Sequence, residues 1–137
     1  KPLLGQLTAW NYFQSLKNAN NSKFVKSWQD WVKKKGLKDY PVTDDPMEAS
    51  YIGIHMWKQA VEKAKSTKTD EVRKALVGQK FAAPDGYTVE MLENQYLSKP
   101  VVIGQINGDA QFDVVWKSPG LVPGESWSPY IPKPKNA

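Results

Sequence analysis

The chain has 137 residues, of which 40% are hydrophobic and 24% are charged, so a single domain with a buried core is expected. It has no cysteine and one histidine, His55, which excludes disulfides, thiol nucleophiles and metal sites built from several cysteines or histidines. No apolar run approaches the roughly 18 residues that a membrane-spanning helix needs. The net charge of +5 makes nucleic acid, an anionic surface and an acidic protein the partner classes to weigh.

The basic residues do not show the pattern of a nucleic-acid-binding protein. Arg73 is the sole arginine, so the chain almost lacks the planar guanidinium groups that contact guanine or phosphate in pairs. The run of lysines at 33–35 falls at the end of a predicted helix, where cations complement the helix dipole. We therefore expect no nucleic-acid partner.

The first elements predicted along the chain are a strand and a helix. The apolar run at 3–8 is typical of a buried strand, and the aromatic segment 10–13 follows where that strand should end. The polar segment 18–22 predicts a turn. Apolar side chains then recur at helical spacing through 24–32, and Gly36 stands where a left-handed C-cap is needed.

A second helix has the clearest start signal in the sequence. Asp45 is predicted as its N-cap, Pro46 fits the first helical position, and Glu48 completes a capping box. Apolar residues continue one face from Ala49 onwards, so the helix should reach about Lys65.

The C-terminal half changes from helix to strands. Thr69 is predicted to cap a short third helix that Gly78 closes, and the segment 84–86 is a turn. Strands are predicted at residues 87–91, 101–106 and 112–116, the last two joined by an Asn-Gly hairpin. The prolines that follow predict an irregular tail, which divides the chain into a folded part, 1–118, and a Pro-rich tail, 119–137.

The acidic residues and the histidine do not form a specific catalytic pattern. Asp44, Asp45 and Glu48 cluster at a helix start, which is the ordinary place for capping acids. His55 is expected to be a surface or half-buried side chain, since no third group is placed to orient it as a base. Phosphate-binding and nucleophile motifs are missing from the sequence, so we expect no catalysis, no cofactor and no metal.

Six tryptophans raise the question of a sugar-binding surface, because flat aromatic rings stack on sugar rings. Most of them lie on predicted helix faces or strands, where packing explains them, which leaves Trp10 and Trp127. Trp10 stands with Asn11 and Tyr12 where a strand is predicted to end, the place where open α/β sheets bind ligands. Packing of that loop explains the same residues equally well.

Several segments, in order and spacing, are similar to the substrate-binding proteins of bacterial urea ABC transporters, within the amide and branched-chain amino-acid type of type I periplasmic receptors. The matching segments are LTAWNYF at 7–13, VTDDPMEASYIG at 42–53, MWKQAVEKA at 56–64, KPVVIG at 99–104, QFDVVWK at 111–117, PGLVPG at 119–124 and WS at 127–128. The resemblance covers nearly the whole chain but only the C-terminal third of such a receptor. Since the chain starts at Lys1 without Met, a processed or truncated product is expected.

The resemblance implies an α/β fold with three helices and a small β-sheet, forming part of each lobe of a two-lobed receptor whose chain crosses between lobes at a hinge. It implies a ligand site in the interlobe cleft, with Trp10, Asn11 and Tyr12 at the edge of one lobe and Met47 and Glu48 at a helix start of the other. A carboxylate such as Glu48 accepts two N–H bonds from a urea-like ligand.

The resemblance implies a periplasmic protein that binds urea or a short-chain amide and partners an ABC permease and the missing N-terminal part of the same receptor. Whether this chain binds ligand alone is left open. Exposed helix faces predict self-association of the fragment. Three alternatives stay open: a branched-chain amino-acid receptor, a carbohydrate-binding module using Trp10 and Trp127, and a helical protein-interaction module.

Overall fold

The computed structural model describes residues 2–39, 42–128 and 130–132. In chain order the elements are β1 (Leu7–Trp10), α1 (Ala19–Lys34), α2 (Asp45–Ala64), α3 (Thr69–Leu76), β2 (Lys80–Ala82), β3 (Thr88–Met91), β4 (Leu97–Ser98), β5 (Val102–Ile106) and β6 (Phe112–Lys117). Within those residues, no helix is both long enough and apolar enough to span a membrane.

The strands form two sheets, where one small sheet was predicted. The first sheet has the order β1-β5-β6 and the second sheet has the order β2-β3-β4, and every pairing is antiparallel. The two short strands β2 and β4 were not predicted, because three and two residues are too few to show an alternating pattern. The predicted α/β class with three helices is confirmed.

The first strand lies later in the chain than predicted. Residues 2–5 form a turn in which Gly5 has a φ of +84°, and the strand itself starts only at Leu7. The prediction of a buried strand at 3–8 is therefore wrong, and Leu3 and Leu4 are both more than half exposed.

Helix α1 begins inside the segment that was predicted to be a turn. Asn18 is its N-cap, and the Asn18 side chain accepts a hydrogen bond from the N–H of Asn21 at 2.9 Å. Residues that favour turns also favour N-caps, which explains the error. The predicted C-cap is confirmed, since Gly36 has a φ of +67° and its N–H donates to the carbonyl of Lys33. The apolar face of α1 is less buried than its pattern suggests, because Trp31 is 45% exposed.

Helix α2 and its N-cap both begin one residue earlier than predicted. Asp44 is the N-cap, and its carboxylate accepts the N–H of Met47 at 2.9 Å, while Asp45 is the first helical residue. The capping box predicted from Asp45 to Glu48 is therefore wrong, because Glu48 does not occupy the third helical position. The predicted end is confirmed, since Lys65 follows the helix in the left-handed conformation.

Helix α3 also begins one residue earlier than the sequence indicated. Lys68 occupies the N-cap position and makes no side-chain capping bond, so Thr69 is the first helical residue and does not cap. Gly78, with a φ of +75°, lies past the helix end as predicted.

The core lies between α2 and the second sheet. Its fully buried members are Ile52 and Met56 on α2, Ala83 after β2 and Val89 on β3. Partly buried side chains around it are Leu76, Phe81, Met91 and Leu97. The spacing of Ile52 and Met56, one helical turn apart, places both on the face of α2 that the sheet covers.

The first sheet packs on its own small aromatic group. The rings of Phe13 and Phe112 are stacked with centroids 4.6 Å apart, and Gly104 lies under the ring of Phe13. A Cβ at Gly104 would come within 2.7 Å of that ring, so only glycine fits here. On β6, Val115 and Trp116 are about half exposed, at 52% and 48%.

The described part of the tail has defined contacts with the second sheet. Val122 forms an isolated antiparallel bridge with Lys99, and the Nδ2 of Asn94 donates to the carbonyl of Gly124 at 2.9 Å. Residues 129 and 133–137 of the predicted tail lie outside the described residues, and the domain boundary at residue 118 stays a prediction.

Candidate ligand-binding site

Three chain segments connect the first sheet to the remainder of the fold: residues 11–18 after β1, residues 99–101 before β5, and the chain from Ser118 after β6. They meet in one place. The Nδ2 of Asn11 donates to the carbonyl of Pro100 at 2.6 Å, and the Oγ of Ser118 accepts the N–H of Val101 at 3.0 Å. The connectors are therefore bonded to one another as well as to the sheets.

The start of α2 is anchored to two of these connectors. The carboxylate of Asp45 accepts the backbone N–H of Asn11 at 3.1 Å. One turn further along the helix, the Oε2 of Glu48 accepts a hydrogen bond from the Nζ of Lys99 at 2.6 Å. Acidic residues at this helix start thus bind other segments of the chain in addition to complementing the helix dipole.

Glu48 is completely buried, and its two oxygens have different partners. Besides Lys99, which binds Oε2, the backbone N–H of Asp85 donates to Oε1 at 3.2 Å. Burial disfavours the charged carboxylate and raises the pKa of Glu48 to about 7, although the ammonium group of Lys99 opposes this shift. Proton binding at Glu48 therefore changes near neutral pH.

Asp85 adds a second buried carboxyl group beside Glu48. Its Oδ1 accepts the N–H of Tyr87 at 2.8 Å, whereas its buried Oδ2 has no hydrogen-bond partner among the described residues. Burial raises the pKa of Asp85 to about 6, against the opposing effects of the bond from Tyr87 and of the charge on Lys99.

Tyr12 lies at the centre of a separate buried polar network. Its hydroxyl donates to the Oδ1 of Asn21 at 2.7 Å and also lies 2.7 Å from the Oγ1 of Thr43. The backbone N–H of Thr43 donates in turn to the side chain of Gln14 at 2.7 Å. Burial raises the pKa of Tyr12 to about 12, so this phenol stays protonated and acts as a structural donor.

A cavity of about 880 Å³ lies between the first sheet and the turn that carries Asp85. Its size is within the usual range of about 300–1,000 Å³ for small-molecule sites. The lining residues are Ser15, Leu16, Lys17, Asn18, Asp85, Gly86, Tyr87, Val102, Phe112, Asp113, Val114, Val115, Trp116 and Lys117. Three aromatic rings, two lysines and two aspartates thus share one concave surface.

A smaller cavity between α1, α2 and the end of β2 is a weaker candidate. Its volume is about 120 Å³, well below the usual range for a ligand site. It is lined by Asn20, Lys23, Phe24, Ser27, Tyr51, Ala82 and Pro84. Nearby, His55 stacks on Phe81 with ring centroids 5.2 Å apart and is half-buried, as predicted.

The predicted ligand residues form two neighbouring groups. The bond between Asn11 and Asp45 joins the end of β1 to the start of α2, so the segments expected to face each other do come together. Tyr12 and Glu48 are completely buried with their polar groups paired. Trp10 is 42% exposed and stacks on Phe13, and Met47 is half-buried. None of the five lines the larger cavity, and their role in ligand binding stays a prediction.

Asp85 and Lys99 were not among the predicted site residues. Asp85 stands in a Pro-Asp-Gly segment that predicts only a turn, and Lys99 precedes a proline that predicts only an extended backbone. Glu48 and Lys99 are separated by 51 residues, so no local pattern could have paired them. In the described part of the chain, no cluster of three or more potential metal ligands is present.

The family of the chain follows from comparison with known proteins. A family model described as a periplasmic binding protein domain matches residues 1–133. The chain belongs to this family. The type I receptor fold expected from the sequence is confirmed, whereas the matches do not single out urea as a ligand.

Solved structures share the fold at low sequence identity. An ABC transporter solute-binding protein from R. palustris, in complex with benzoate, matches with a TM-score of 0.72 and 19% identity over 90% of this chain and 32% of its own. A leucine-binding protein from Thermotoga maritima matches with a TM-score of 0.64 and 20% identity over 84% of this chain and 31% of its own. The chain thus spans about a third of these receptors.

A curated relative corrects one expectation. A protein from Geobacillus stearothermophilus named limonene hydroxylase is 34% identical over 121 residues, which is 88% of this chain and 21% of the relative. The expectation that the chain is not an enzyme is contradicted by this finding, because the relative bears the name of an enzyme. The absence of familiar catalytic motifs was too weak a basis for that expectation.

Proposed function

We propose that the chain is part of the solute-binding component of an ABC importer and that its solute binds in the cavity between the first sheet and the Asp85 turn. Membership of the periplasmic binding protein domain family supports the receptor role. The cavity carries the proposal for the site, because it combines a suitable volume with aromatic, cationic and acidic side chains.

We propose urea or a short-chain amide as the solute. Such a ligand presents several N–H donors, and a buried site must pair them, since each unpaired buried polar group costs about 1–3 kcal/mol. Asp85 lines the cavity, and its buried Oδ2, which has no hydrogen-bond partner among the described residues, supports this choice because a carboxylate oxygen accepts N–H donors.

A second ligand class has its own support in the cavity wall. Lys17 and Lys117 supply positive charge, and Phe112, Tyr87 and Trp116 supply aromatic surface, a combination suited to an aromatic carboxylate. The structural neighbour from R. palustris was solved with benzoate. The two classes make opposite demands, because a carboxylate ligand avoids Asp85 and an amide uses it.

The five residues predicted from the resemblance keep a place in this proposal. Trp10 and Met47 do not line the cavity, but both are partly accessible and remain candidates for ligand contact in the complete receptor. Asn11, Tyr12 and Glu48, whose polar groups are paired, would support the connectors on which the cavity depends. The further partners we propose are an ABC permease and the remainder of the same receptor, in the periplasm.

Calorimetric titration of the full-length natural polypeptide that carries this sequence tests the proposal. The ligand panel is urea, acetamide, leucine and 4-hydroxybenzoate, each raised to millimolar concentration. We expect saturable 1:1 binding of urea or acetamide. No heat with any of the four would contradict the receptor proposal, and binding of leucine or 4-hydroxybenzoate alone would refute the amide class while keeping the receptor role.

Two matched tryptophan variants test the position of the site. Trp116 lines the cavity and is 48% exposed, whereas Trp57 lies on α2, away from the cavity, and is 51% exposed. We expect Trp116→Ala to weaken binding at least tenfold and Trp57→Ala to leave it unchanged. Equal effects of the two variants would place the solute elsewhere.

A further inference from the structure

We propose that the contact between Glu48 and Lys99 is a proton-sensitive latch that sets the angle between the first and second sheets. Lys99 begins the connector between β4 of the second sheet and β5 of the first, and Glu48 belongs to the helix that packs on the second sheet. A bond between them holds that connector against the helix. The proposal goes beyond the receptor function, because the angle is a property of this chain with or without a ligand.

The latch can act on the whole first sheet because the connectors are bonded to one another. Lys99 is followed by Pro100, whose carbonyl accepts the side chain of Asn11, and by Val101, whose N–H binds Ser118. Backbone bonds between Lys99 and Val122 add the tail to the same group. A shift of Lys99 is therefore transmitted to all three connections of the sheet.

The surroundings of Glu48 make the contact sensitive to protonation. The described charged and titratable groups around the cluster are Lys99 on the connector, Asp85 on the turn after β2, Asp44 and Asp45 at the start of α2, and Tyr12 after β1. Burial and the negative charge of Asp85 both favour the neutral form of Glu48, whereas Lys99 and, to a smaller extent, the backbone N–H of Asp85 favour the charged form.

Protonation of Glu48 removes the charge that holds the ammonium group of Lys99. The Lys99 side chain is only 12% exposed, so without its partner it would remain a buried cation at a high cost. Its flexible stem allows it to reach water, which releases the connector from α2. The latch is thus closed above the pKa of Glu48, about 7, and open below it.

Spin labels can measure the angle cleanly because the chain has no native cysteine. Lys63→Cys on α2 and Asp109→Cys in the hairpin between β5 and β6 are exposed positions on the two sides of the latch. Double electron–electron resonance then gives the distance distribution between them in the 137-residue chain. We expect one narrow distribution at pH 8, a broader one at pH 5.5, and a transition near pH 7.

Variants of the pair separate the latch from other titrating groups. Glu48→Gln and Lys99→Met should give the broad distribution at both pH values, and Lys99→Arg should keep the narrow one at pH 8. Asp30→Asn is the matched control, since Asp30 binds Lys26 at 2.7 Å but both side chains are more than 60% exposed. It should retain the pH profile of the unaltered chain.

Three results would overturn the proposal. The first is a narrow distribution at pH 8 in a folded Glu48→Gln or Lys99→Met variant. The second is an equal loss of the transition in Asp30→Asn, which would indicate a general charge effect. The third is a transition that survives Glu48→Gln but disappears in Asp85→Asn. If Glu48→Gln fails to fold, as judged by circular dichroism, Lys99→Met carries the same test from the other partner.

Discussion

The burial of Glu48 makes the stability of this protein fall as the pH rises, and Glu48→Gln should remove much of that dependence. The pKa of Glu48 is about 7 in the folded chain, against 4.5 as its ordinary value. Between these two values the folded state holds a proton that the unfolded state has lost, so folding is favoured at low pH. This contribution is fully present below pH 4.5 and disappears as the pH rises through 7.

The size of the effect follows from the shift. Each pKa unit corresponds to about 1.4 kcal/mol, so Glu48 should make the free energy of unfolding about 2–3 kcal/mol lower at pH 8 than at pH 5. The raised pKa of Asp85, about 6, acts in the same direction. The neutral side chain of Glu48→Gln does not titrate. The free energy of unfolding of this variant should therefore keep only the pH dependence that comes from Asp85 and other groups.

Equilibrium unfolding in guanidinium chloride at pH 5, 6, 7 and 8 measures the slope of the free energy of unfolding against pH. Urea is avoided as the denaturant because it is a proposed ligand. The exposed pair of Lys58 and Glu62 supplies the control, and Glu62→Gln should keep the slope of the unaltered chain. Stability that rises from pH 5 to pH 8, or equal slopes in Glu48→Gln and the unaltered chain, would refute the reasoning.

Two further predictions concern the packing of the two sheets. Gly104→Ala should lower the free energy of unfolding by about 1–3 kcal/mol in chemical denaturation, because its Cβ would come within 2.7 Å of the Phe13 ring. A Cβ at Gly108 would have no neighbouring atom within 4 Å, so Gly108→Ala should hardly change the free energy of unfolding. Similar losses of stability at both glycines would contradict the close approach of the Phe13 ring to Gly104. Met56→Ala should lower the free energy of unfolding by about 2–5 kcal/mol, because it leaves a cavity in the core beside Val89. A loss below about 1 kcal/mol would show that this core is loosely packed.

Helices were predictable here because their signals are local. The apolar spacing on α2 and the glycines after α1 and α3 lie within a few residues of the structure they specify, and the predicted ends were close to those observed. The capping errors were also local. Asp44 and Asp45 are adjacent residues of the same type, so the sequence pattern does not distinguish which one caps the helix.

The candidate site was less predictable because its parts come from distant segments. Asn11 and Glu48 were selected from the sequence, but the first binds Pro100 and the second binds Lys99 and Asp85. Glu48 was assigned a capping role because a carboxylate at a helix start normally has one. Its actual partners depend on the path of the chain through β2, β3 and β4, two of which were too short to predict.

The amino-acid sequence by itself determined the α/β class, the three helices, the β5–β6 hairpin and the likeness to type I periplasmic receptors. These features depend on periodicity, turn residues and ordered segments, all of which can be read along the chain. Only the tertiary structure decided that there are two sheets, that their connectors meet at the start of α2, and that a cavity lies beside Asp85. Burial and long-range pairing set the protonation of Glu48 and Asp85, because the free energy of a charge depends on what surrounds it in space.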